Sequence, residues 1–168
     1  LLDSAKRYIK ESTGEDINLD AIPLDDRKVL DGFAAGYTQG VFQLESGPMR
    51  KLLKDLGGGI EPMSFKTVVA TTALFRPGPI QSGMLDDYVS VAKGFMTPTS
   101  LHPVLDELPS ETNGVILYQE QTMNATRLLA GFTMAEADGV RSAIGKKNME
   151  KMRSMGEKFV IQAQAGWI

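Results

Sequence analysis

A chain of 168 residues with 42% hydrophobic content is long enough for one domain, or two small lobes, built on a buried core. The absence of cysteine excludes disulfides and thiolate metal sites, and the single histidine, His102, excludes a multi-histidine one. A net charge of −3, with no apolar run long enough for a bilayer and no signal-peptide pattern, predicts a cytoplasmic protein without a membrane role and argues against a uniformly basic nucleic-acid binder.

Leu1, Leu2, Ala5, Tyr8 and Ile9 follow helical spacing, with Gly14 as the stop. Residues 16–23 form a turn-rich connection, and residues 25–35 return to helix with Val29, Leu30 and Phe33 on one face. The segment Gly40-Val41-Phe42-Gln43-Leu44-Glu45 reads as short and extended. Ser46 then opens a helix with Pro48 in its first turn, Met49, Leu52, Leu53 and Leu56 as its buried stripe, and Gly57-Gly58-Gly59 as its end. Ser64 is suited to cap a helix over residues 65–75; Thr67, Val68, Val69, Thr71 and Thr72 would also suit a strand, but the length selects helix. Arg76-Pro77-Gly78-Pro79 breaks it as a rigid corner.

Residues 84–93 are predicted helical and residues 94–100 a loop suited to a hinge. Val104, Leu105 and Leu108 suggest a helical turn, Val115-Ile116-Leu117-Tyr118 a brief apolar run, and residues 119–130 a helix packing through Met123, Ala125, Leu128 and Leu129. Thr133-Met134-Ala135-Glu136 is a capping box for a helix to about Ile144. Asn148 can cap the last helix, with Met149, Met152, Phe159 and Val160 at its apolar positions. Leu1 and the closing Ala165-Gly166-Trp167-Ile168 read as cut ends of a longer chain. The predicted fold class is mainly α, with several short helices and at most small strands.

Charge is distributed unevenly. Residues 141–158 carry Arg141, Lys146, Lys147, Lys151, Arg153 and Lys158 against Glu150 and Glu157, and local charge decides where a phosphate can sit. The Gly139–Lys147 stretch is no Walker A loop: five residues separate Gly139 from Gly145, no Ser or Thr follows Lys146, and no strand precedes it. Its cations fit phosphate binding, through a two-bond Arg clamp and mobile Lys charges. They equally fit complementing a helix C-terminal dipole in solvent. Arg76 in its proline corner fits either a phosphate contact or a structural lock. The pairs Asp25-Asp26 and Asp86-Asp87 fall in helix first turns and point about 100° apart, so helix starts explain them better than a metal site. His102 has no evident nucleophile partner.

Several segments resemble one family in order and spacing. They are Ile22-Pro23-Leu24-Asp25-Asp26, Gly40 to Ser46, Ala73 to Met84 around the Arg76 corner, Gly114 to Gln121, and Ala143-Ile144-Gly145-Lys146-Lys147. Together they resemble the alpha subunit family of bacterial DNA polymerase III, the family C replicative polymerases. The resemblance implies a helical segment running from the end of the palm into the fingers: residues 1–36 a helical connection after the palm, residues 37–168 part of the fingers. It implies a parent that performs template-directed DNA synthesis, with primer-template DNA, dNTP and other holoenzyme subunits as partners. It implies Mg2+ held by palm aspartates outside this chain, and so no catalytic residue and no metal ligand within it. Arg141, Lys146 and Lys147 would contact the triphosphate or the DNA backbone, and so would Arg76. Where the family often has two successive arginines this chain has Arg141-Ser142, and Gly47-Pro48-Met49 also departs from its pattern. The alternative is a non-catalytic DNA-binding or structural helical module.

Overall fold

The four apolar residues Met49, Leu52, Leu53 and Leu56 recur at the spacing of one helix face, and all four are buried, Leu53 completely. They belong to a helix over Gly47–Gly57. In the computed structural model, which describes residues 1–99 and 102–167, this helix is the centre of the main core. The elements are α1 (Leu2–Thr13), α2 (Arg27–Ala34), α3 (Gly47–Gly57), α4 (Phe65–Leu74), α5 (Pro77–Gln81), α6 (Met84–Ala92), α7 (Gln119–Ala130), α8 (Met134–Gly145) and α9 (Met149–Trp167), with short 3-10 turns between some of them. The fold is mainly α, and the described residues contain no strand. Ser100 of the predicted 94–100 loop and Ile168 of the closing residues lie outside the described residues.

α3 starts where the sequence sets its start: the Ser46 hydroxyl accepts from the Met49 N–H at 3.3 Å, and Pro48 occupies the first turn, where its missing N–H costs nothing. α2 is capped by Asp26, whose carboxylate accepts from the Val29 N–H at 3.1 Å. Its Leu30 enters the core beside α3. Val29, expected on the buried face, is exposed, because α2 touches the body along a narrower stripe than its three apolar residues suggest. Contact between the two helices is close. A Cβ on Gly57 would lie 2.6 Å from the Ala34 Cβ and 2.8 Å from its Cα, so only glycine lets the end of α3 reach α2.

α4 is a helix despite its β-branched content. Ser64 caps it through the Thr67 N–H at 3.2 Å. The Thr71 and Thr72 hydroxyls return to the carbonyls of Val68 and Val69 at 2.6 and 2.7 Å. Val68, Ala70, Thr71 and Leu74 are buried, so tertiary packing overrides strand propensity. The Arg76–Pro79 segment ends α4 as expected but is not merely a corner. Pro77 opens the short helix α5, and both prolines fall in its first turn, where N–H groups have no intrahelical partner. Tyr88 of α6 is buried, and burial pushes its hydroxyl pKa up to about 12. Asn113 donates from Nδ2 to the Tyr88 carbonyl at 3.2 Å, laying the Val115–Leu117 run over the α3–α4–α6 core without a ladder. Residues 40–45 are a series of tight turns rather than an extended segment.

The second group is α7, α8 and α9, packed on one another. α7 ends at Gly131, φ 64°. The next residue, Phe132, is buried, as is Ala137; they occupy the hydrophobic-staple positions around the Thr133 cap. Leu128, expected in this packing, is exposed, as are Met149 and Val160 of α9. α9 returns antiparallel to α8, with Phe159 edge-on to Phe132 at 6.1 Å between ring centres. α1 ends on Gly14, φ 79°, and buries no side chain, so the apolar face read from its sequence stays open.

Candidate phosphate-binding site

Of the sequence-selected cations, Arg141 stands within α8, and Lys146 and Lys147 follow at its end, before α9. α8 begins at the predicted capping box: the Thr133 hydroxyl accepts from the Glu136 N–H at 3.3 Å, and the Glu136 carboxylate accepts from the Thr133 N–H at 2.7 Å. Two turns later Arg141 is half-buried, its Nε donating to Asp138 Oδ1 at 2.8 Å. That bond uses one edge of the guanidinium and fixes its direction; no other hydrogen bond engages the group among the described residues. An i,i+3 pair of this exposure stabilises little by itself, so it orients the Arg more than it holds the fold.

Lys146 caps the end of α8, its N–H reaching the Ser142 carbonyl at 3.0 Å. Lys147 follows in the left-handed region, φ 51°. The Asn148 N–H closes the turn on the Ala143 carbonyl at 3.0 Å, and its side chain caps α9 through the Lys151 N–H at 3.0 Å. Both lysines are exposed, and neither has an ion pair among the described residues. Lys151 lies over α8, its Nζ 4.0 Å from where a Cβ on Gly139 would stand. Lys146 and Lys147 thus stand in the turn, Lys151 in the first turn of α9, and Arg141 more than a turn back along α8 with Asp138 as its bonded carboxylate. Chemically this arrangement can receive a polyanion: Arg141 as a directional donor, the lysines as point charges.

Arg76 is elsewhere. It stands exposed at the α4–α5 junction, its Nε donating to the Thr72 carbonyl at 3.3 Å, in the helical group around α3. Asp26 is spent as the α2 cap, and Asp86 and Asp87 lie in the first turn of α6. Among the described residues no group of three or more His, Asp or Glu is placed to hold a metal ion.

Gln121 is the residue whose role spacing did not assign. It is buried, its Oε1 accepts from the Leu117 and Tyr118 N–H groups at 2.8 Å each, and its Nε2 donates to the Leu108 carbonyl at 3.0 Å and the Thr112 hydroxyl at 2.8 Å. It ties the 108–118 loop to the start of α7. A glutamine at the third position of a predicted helix is the one sequence signal for such a cap.

A family model, the bacterial DNA polymerase III alpha subunit finger domain, matches residues 1–166. A DNA polymerase III subunit alpha of Yersinia pestis is 95% identical over 168 residues, 100% of this chain and 14% of that protein. The subunit alpha of Aquifex aeolicus is 47% identical over 155 residues, 92% of this chain and 13% of that protein. That of Mycobacterium tuberculosis is 37% identical over 169 residues, 98% of this chain and 14% of that protein. The chain thus spans about 14% of the length of the first of these relatives. No helix among the described residues is long and apolar enough to cross a membrane.

Proposed function

Since the chain belongs to the bacterial DNA polymerase III alpha subunit finger-domain family, we propose that it serves as fingers sequence of a replicative polymerase and holds phosphate through the α8–α9 hairpin. In this reading the parent enzyme extends a primer on a DNA template from dNTPs in the cytoplasm, within an assembly of other polymerase subunits. The hairpin contacts the triphosphate of the incoming nucleotide or the backbone of primer-template DNA. The Mg2+ ions the reaction implies are assigned, as the family resemblance implies, to palm aspartates outside this chain. Arg76 is assigned a phosphate contact of its own, separate from the hairpin.

The single observation that carries the reading is the orientation of Arg141. Asp138 holds its Nε, which leaves the terminal guanidinium nitrogens directed and available, on the helix that ends at two lysines without ion pairs among the described residues. Charge-assisted bonds of this kind stabilise a bound or developing charge without reorganisation when substrate arrives. The test is steady-state kinetics of the full alpha subunit. Arg141→Ala is expected to lower kcat/KM for dNTP by about 10-fold or more, as loss of a charge-assisted hydrogen bond predicts. Asp138→Asn should give a smaller loss, because it frees the Arg without removing it. Unchanged nucleotide kinetics in Arg141→Ala would overturn the assignment.

A further inference from the structure

A second surface, on the opposite helical group, has the composition of a nucleic-acid site and is used by nothing above. The loop between α2 and α3 exposes two aromatic rings, Tyr37 at 82% and Phe42 at 85%. Exposed aromatics on a loose loop would mean little. This loop is fixed. Thr38 between them is fully buried, its hydroxyl donating to the Leu44 carbonyl at 2.6 Å. The Tyr37 N–H bonds the Gly32 carbonyl at 2.8 Å and the Leu44 N–H the Val41 carbonyl at 3.0 Å. Gln43, next to Phe42, is held at φ 65°. The backbone is over-determined while both rings face water, which is a cost to the free protein that a ligand would relieve.

The charge beside the rings is mainly positive. On the outer side of α3, opposite its buried stripe, stand Arg50, Lys51 and Lys54, all exposed and none in an ion pair among the described residues. Lys54 runs directly over the loop: its Cε lies 2.7 Å from where a Cβ on Gly36 would be. Of the neighbouring carboxylates, Asp31 is paired with Arg27 and Asp55 with Lys93 at 3.0 Å, while Glu45 keeps its charge and accepts from the Gly40 N–H at 3.1 Å.

We propose that this face binds a single-stranded nucleic acid, with bases stacked on Tyr37 and Phe42 and the backbone phosphates on Arg50, Lys51 and Lys54. Unpaired bases are required because a duplex keeps its π-faces covered, while flat rings beside a cationic track suit splayed bases of any sequence. The surface is distinct from the α8–α9 hairpin, so the two assignments stand or fall separately.

Fluorescence anisotropy of the 168-residue chain with a labelled oligothymidine at low salt tests it. Tyr37→Ala with Phe42→Ala should weaken binding about 10-fold or more. Tyr37→Phe should bind as the parent does, since stacking needs only the ring. Replacing Arg50, Lys51 and Lys54 by Ala should lower the slope of log affinity against log salt by roughly 2, about 0.7 per lost phosphate contact on a single strand. A duplex of equal length should bind more weakly. The rings and cations are exposed, so circular dichroism should confirm that each variant keeps its fold. No binding at low salt, equal binding of duplex, or an aromatic double variant that binds like the parent would each overturn the proposal.

Discussion

Lys158 of α9 reaches back to the first turn of α8 and donates from Nζ to Glu136 Oε1. The same ammonium lies 5.8 Å from the centre of the Phe132 ring. One lysine thus fastens the far end of the α8–α9 hairpin, while the lysines at its tip stay free for a ligand. The division follows from where the carboxylates are bonded: Glu136 answers Lys158, and no carboxylate among the described residues pairs with Lys146 or Lys147.

That geometry sets an acid dependence. The Glu136 carboxyl is held at about 2, well below its ordinary 4.5, first by the Lys158 hydrogen bond and then by the N–H and hydroxyl of Thr133. A carboxyl whose folded pKa is depressed contributes stability that is fully present above its unfolded value and lost as pH falls through the folded one. Stability from this group should therefore be complete above about pH 5 and decline toward pH 2. Glu136→Gln should lower the melting temperature at neutral pH, and its gap from the parent should close as the buffer approaches pH 2. Melting curves across that range decide it: a gap independent of pH would mean the residue acts through packing alone.

Short-range signals made most of this legible in the sequence. The Ser46 and Thr133 caps, the Met49–Leu56 stripe and the Asn148 cap each depend on residues within one turn, and each formed as read. Resemblance carried the family assignment, on segments in order rather than on composition. What spacing could not show was long-range. Val29 and Leu128 have the right period but face water, because the partner surface is narrower than the apolar stripe. Residues 40–45 look extended, yet the buried Thr38 hydroxyl draws them into turns by bonding Leu44. Nor does spacing place Arg76, which lies in the α3 group, apart from Arg141, Lys146 and Lys147 along α8 and its following turn.

Gln121 is a further case of a role written in distant contacts, and it yields a graded test. Its amide answers four groups at once, two N–H donors and two acceptors. Gln121→Leu would leave these groups buried without partners, at about 1–3 kcal/mol for each that water cannot reach. Gln121→Glu keeps an acceptor for the Leu117 and Tyr118 N–H groups, but as a carboxylate has nothing to donate to the Leu108 carbonyl. Urea unfolding should rank the parent above Glu, and Glu above Leu, at neutral pH. A Leu variant as stable as the parent would show that the loop satisfies itself without the side chain.

Lys147 brings stability and the proposed function into opposition at one residue. Its φ of 51° is a conformation that costs a residue with a Cβ about 1–2 kcal/mol, and glycine is the usual occupant of such a position after a helix. Glycine loses part of that gain through its greater freedom in the unfolded chain. Lys147→Gly should therefore stabilise the isolated chain by about 0.5–1 kcal/mol, read as a higher urea midpoint with an unchanged slope. If Lys147 contacts phosphate, the same substitution in the full alpha subunit should raise the KM for dNTP or weaken primer-template binding. Lys147→Asn separates the two effects, since asparagine tolerates the left-handed turn but carries no charge: it should restore neither charge-dependent binding nor the strain. Gain of stability with unaltered binding would leave the strained lysine without a function, and loss of stability would mean that its aliphatic chain packs on the turn more tightly than its exposure indicates.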